Sequence, residues 1–76
     1  MTKYSFEYTD TFGGEANYSW VKRGEVTAKS FIAASRKVKK ELGLTGLKAN
    51  RSDFGDMVSL DFSPSGICTI LFINWS

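Results

Sequence analysis

Residues 30–43, SFIAASRKVKKELG, form the one stretch of this chain whose apolar side chains recur at the helical interval. On a wheel of about 100° per residue, Phe31, Ala34, Ser35, Val38 and Leu42 share one arc. Arg36, Lys37 and Lys40 fall on the opposite side, and Lys39 flanks the stripe beside Ile32. Ser30 is a good N-cap, because its hydroxyl can accept from an orphan amide of the first turn. Gly43 fits the position just past the end, where a left-handed residue stops a helix. The spacing predicts a helix over 31–42. A single helix with a single apolar stripe needs one flat partner, which limits the architectures open to the rest of the chain.

The rest alternates with a period of two. Tyr4, Phe6 and Tyr8 point one way along residues 3–9, with polar side chains between them. Gly13-Gly14 supplies turn geometry, and a second strand follows from residue 16 to about 22, with Ala16, Tyr18 and Trp20 on one face. Gly24 is read as a bulge, after which residues 25–28 prolong the strand. Beyond the helix, residues 47–51 alternate weakly, as an edge strand does. Val58, Leu60 and Phe62 alternate with outward Ser59 and Asp61, Ser63-Pro64-Ser65-Gly66 reads as a type I turn, and residues 67–75 are apolar on both faces. The expected fold is α+β: a single antiparallel sheet of four to five strands with one amphipathic helix on one face, in the order β-hairpin, helix, β-meander. At 76 residues it is one domain, near the lower size limit for a core without staples.

Composition narrows the chemistry. There is no histidine, which removes the usual general base, the common triads and most zinc sites. The single cysteine, Cys68, lies in ICTILFI and reads as a buried, inert thiol. Asp10 and Glu15, and likewise Asp53 and Asp56, flank turns in which acids serve the backbone, so neither pair argues for catalysis. The expectation is a protein that is not an enzyme and takes no cofactor or metal. No signal peptide or membrane-spanning run is apparent, so the cytoplasm is the expected location.

Net charge is +2, but it is unevenly spread. Residues 22–51 hold nine Lys/Arg against Glu25 and Glu41, a net +7, and the remainder carries −5. Two surfaces can use this division. Tyr8, Tyr18 and Trp20 can make an apolar contact, with Asp10, Glu15, Asp53 and Asp56 as an acidic rim that meets a partner's phosphate-binding cations. Alternatively, Arg36, Lys37 and Lys40 on the outer helix face can contact nucleic acid. An exposed sheet face also leaves room for a homodimer.

The runs FEYTDTFGGEANYSWV, DFGDMVSLDF and CTILFI resemble a group of small proteins encoded by phages and prophages. The resemblance covers most of the chain and implies a mobile-element origin. By size and origin it points to stoichiometric binding of a host protein or protein–nucleic-acid complex, as anti-CRISPR proteins do.

Overall fold

The large side chains of residues 4–8 decide which side of the sheet becomes the core. A computed structural model of the chain describes residues 2–13 and 15–75. In it Tyr4, Phe6 and Tyr8 of β1 (Thr2–Phe12) are buried, while Lys3, Ser5 and Glu7 between them are exposed or half-buried. Residues opposite one another across a ladder share a face. The register therefore extends the buried side through Val26 of β2 (Glu15–Ala28) and through Leu71 and Ile73 of β5 (Thr69–Trp75). From β5 it passes to Val58 and Leu60 of β4 (Met57–Asp61), while β3 (Asn50–Asp53) closes the far edge. All pairings are antiparallel and the strand order is β2-β1-β5-β4-β3. This is the expected α+β arrangement, with the last strand of the sequence at the centre of the sheet.

Helix α1 (Phe31–Glu41) lies on that buried side, chiefly across β2 and also against β1 and β5. Ser30 caps it as its chemistry requires, with its Oγ accepting from the Ala33 amide at 3.2 Å. Leu42 is the C-cap, one residue earlier than the apolar stripe alone suggests. Gly43, at φ 73°, turns the chain out of the helix while the Leu44 amide donates to the Lys39 carbonyl. That six-to-one bond is the Schellman ending, and it drives Leu44 into the core. Ala34 and Val38 are fully buried, and Phe31 tilts onto Tyr4 with 4.8 Å between ring centroids.

Four local expectations are corrected. Gly24 is not a bulge: it pairs in register with Phe6, whose ring lies over it where another residue would carry Cβ. Cys68 is exposed, not buried. Residues 63–65 form a 3₁₀ turn closed by Gly66 at φ 79°, so the strand starts only at Thr69; Ile67 packs inward and the next side chain faces out. Ser59, expected to point to solvent, lies on the face away from the helix yet is buried between its cross-strand neighbours Ser52 and Phe72.

Candidate protein-contact surface

Strand β2 breaks step opposite Asp10. Thr9 pairs with Val21 and Thr11 with Ala16, so one residue of β1 faces four of β2, residues 17–20. A bulge this wide leaves its backbone groups outside the ladder and needs other partners. Thr9 and Asp10 supply them. The Thr9 hydroxyl accepts from the Tyr18 amide at 3.1 Å and donates to the Trp20 carbonyl at 2.8 Å, and Thr9 is fully buried beneath the bulge. The Asp10 carboxylate accepts from the Ser19 hydroxyl at 2.6 Å, the Ser19 amide at 3.0 Å and the Asn17 side-chain amide at 3.0 Å. Within this clasp Tyr18 is held at φ 55°, a left-handed conformation that a bulky residue adopts only when its surroundings impose it.

The clasp presents aromatic rings to solvent. Tyr18 is 48% exposed and Trp20 42%, and Phe12 at the neighbouring hairpin end is 80% exposed beside Glu15. Trp20 is not loose: its ring meets the edge of Tyr8 at 5.4 Å. Tyr8 in turn packs edge-on against Phe62 at 6.2 Å and donates its hydroxyl to Thr69 Oγ1 at 2.9 Å. Tyr8 is thus a core residue that supports the surface from beneath, and its own ring is not available for contact. Trp20 shares the helix-side face with Tyr8, so its ring does not stand on the uncovered face of the sheet.

The acidic rim does not form as one patch. Asp10 and Glu15 lie at the β1–β2 hairpin end, close to Trp20. Asp53 and Asp56 belong to the β3–β4 hairpin, at the opposite end of the sheet, where Met57 and Ser5 both face Asn74. There Asp53 accepts from the Gly55 amide at 2.9 Å and stands 4.0 Å from Arg51, a turn-forming role. Arg36, Lys37 and Lys40 are exposed on α1 as expected, but Lys37 is occupied, its Nζ donating to the Thr27 carbonyl at 2.6 Å. Sequence reading missed Phe12 as a surface residue and Thr9, Asn17 and Ser19 as the frame. The available signal was the cluster of short hydrogen-bonding side chains around an acid.

The Ser19 hydroxyl, and after it the Asn17 amide and the Ser19 backbone, hold the Asp10 carboxyl down from 3.8 to about 2. A carboxyl that binds its proton less readily when folded than when unfolded stabilises the fold above its ordinary pKa. That contribution is lost as pH falls from near 4 to about 2. Acid titration of a Trp75→Phe variant should therefore show the Trp20 emission shifting to the red across that window. Asp10→Ala should show the shifted emission already at neutral pH, and identical curves for the two proteins would exclude the clasp.

Among the described residues no enclosed pocket and no cluster of metal-ligating side chains is present, and no helix is long and apolar enough to cross a membrane. Fold and surface together define a two-layer α+β domain with exposed aromatic rings at one hairpin end. Comparison with protein-family models, with curated proteins and with solved structures returns no match in any of the three.

Proposed function

We propose that this chain is a phage or mobile-element protein that binds a host protein or protein–nucleic-acid complex and inhibits or modulates its handling of nucleic acid, without catalysis and in the manner of an anti-CRISPR protein. The observation that carries the reading is the clasped bulge. Exposed Tyr and Trp side chains are the residues that dominate protein interfaces, and here they sit on a frame already ordered before a partner arrives. Ordering in advance lowers the entropy cost of association. Asp10 and Glu15 beside them suit a partner surface rich in Arg and Lys. The site of action in this reading is the host cytoplasm. Asp53 and Asp56, at the far end, would serve a second contact or none.

The test pairs capture with activity. Tagged wild-type protein should retain a nucleic-acid-handling complex from bacterial lysate and lower its activity at a one-to-one ratio. A Tyr18→Ser/Trp20→Ser variant with an unchanged circular dichroism spectrum should lose capture by 100-fold or more, on the order of two hot-spot side chains. Equal capture by both proteins would dispose of the reading.

A second reading, nucleic-acid binding through α1, is favoured by Arg36 and Lys40, which are exposed and in no ion pair among the described residues. It predicts affinity for DNA or RNA that falls steeply with salt and is weakened by Arg36→Ala/Lys40→Ala. Absence of a gel shift at low salt would exclude it.

A further inference from the structure

Strand β3 ends the sheet, and two hydrogen bonds fix which backbone groups it presents at that edge. The Phe54 amide donates to the Met57 carbonyl at 2.8 Å, so Phe54, Ser52 and Asn50 turn their backbone groups toward β4. The other ladder of β4 agrees. The Phe62 amide donates to the Thr69 carbonyl at 3.1 Å, so Leu60 and Val58 bond to β5 and leave Met57, Ser59 and Asp61 for β3. Arg51 and Asp53 must then direct their N–H and C=O groups away from the sheet, and β3 stands last in the strand order. All four residues of the strand are exposed. Opposite Leu60 and Val58, the Arg51 and Asp53 side chains share the helix-side face 4.0 Å apart, and Asp53 Oδ1 also accepts from the Gly55 amide at 2.9 Å.

We propose that two copies of this chain pair antiparallel along β3, about a two-fold axis at Ser52, joining their five-stranded sheets into one with both helices on the same side. Outward groups must meet outward groups, which leaves Arg51, Ser52 and Asp53 as positions for the axis. At Arg51 the axis sets two guanidinium groups face to face, and at Asp53 it sets two carboxylates together. Only at Ser52 does Arg51 face the partner's Asp53, and it does so twice. Each of these two pairs exchanges both of its backbone bonds. Charges on an edge strand repel a copy when they are alike, but this order makes the copy complementary. Neither charged group has to be idle in the monomer. A guanidinium carries five N–H donors and a carboxylate about four lone-pair sites, so Arg51 and Asp53 keep their present contacts and take up the new one. A quartet of alternating charge closes around the axis. On the other face Ser52 meets its own copy with only a small hydroxyl between the strands. Phe54, 61% exposed in the monomer, comes beside the partner's Asn50. The ladder stops there because Gly55, at φ 91°, turns the chain into its hairpin. So short a contact makes a weak, reversible dimer. It lies at the opposite edge of the sheet from β2 and does not depend on what the aromatic end binds.

Sedimentation equilibrium should show a reversible monomer–dimer equilibrium for the wild type. The Arg51→Asp and Asp53→Arg variants should each be monomeric where the wild type is dimeric, and an equimolar mixture should restore a heterodimer. Arg51→Pro removes an outward N–H that the ladder to β4 does not use, so it should keep the wild-type circular dichroism spectrum and stay monomeric. In the wild type itself, exchange of the Arg51 and Asp53 amides should slow roughly tenfold once nine chains in ten are paired. A wild type that stays monomeric at millimolar concentration overturns the proposal. So does a dimer in which those two amides exchange as fast as in the monomer, or one that Arg51→Asp and Arg51→Pro leave unchanged.

Discussion

Phe62→Ala is expected to leave a large fraction of the chain unfolded at 25 °C. The ring is fully buried, lies edge-on to Tyr8 and belongs to the cluster that joins strand to helix. Its backbone is equally committed: the amide donates to the Thr69 carbonyl at 3.1 Å, and its carbonyl accepts from the Ser65 amide at 2.9 Å. Removing such a ring costs about 3–5 kcal/mol in lost burial and residual cavity. At roughly 0.05–0.15 kcal/mol per residue, a chain of this length holds about 4–11 kcal/mol in total, and small domains sit toward the low end. The loss is therefore comparable with the whole. Urea unfolding followed by circular dichroism measures it directly, and a loss below about 1 kcal/mol would show that Phe62 is not central to the core.

Gly24→Ala is expected to destabilise although alanine suits a strand better than glycine. Stiffening the unfolded chain favours the variant by about 0.4–1 kcal/mol. Against this, the new methyl would stand 2.7 Å from Cε2 and Cζ of Phe6, and that ring is only 4% exposed, so it has little room to retreat. Forcing a buried ring aside costs about 1–3 kcal/mol, so the clash outweighs the entropy and the net loss is about 1–2 kcal/mol. The Phe6→Leu background should make the same change cheaper by about 1 kcal/mol, since the contact that opposes it is gone. Additive effects of the two substitutions would rule out the ring-over-glycine account.

Much of this architecture is legible in residue order. The alternation of Tyr4, Phe6 and Tyr8, the cap at Ser30 and the stop at Gly43 are local signals, and local chemistry decides them. The failures share a different origin. Alternation along residues 16–22 predicts one continuous strand because nothing in those residues reveals that Asp10, on the other strand, offers acceptors to Ser19 and Asn17. A side chain seven to nine positions away rewrites the register. The sequence offers Tyr8 as a surface ring for the same reason, since only its hydrogen bond to Thr69 and its packing on Phe62 show it to be enclosed. Cys68 sits in an apolar run, and apolarity alone cannot say where the 3₁₀ turn ends and the strand begins. The candidate surface is recognisable in its exposed rings, Tyr18 and Trp20, and hidden in its frame.

The central place of β5 has a consequence for the birth of the protein on the ribosome. Leu71 and Ile73, both fully buried, are translated after the strands they pair with, and until they emerge β1 and β4 have no strand between them. The hairpin and helix made earlier can bury only part of their apolar surface. Cooperative folding must therefore wait until β5 has emerged, when segments some sixty residues apart find one another, a slow kind of closure for so small a sheet.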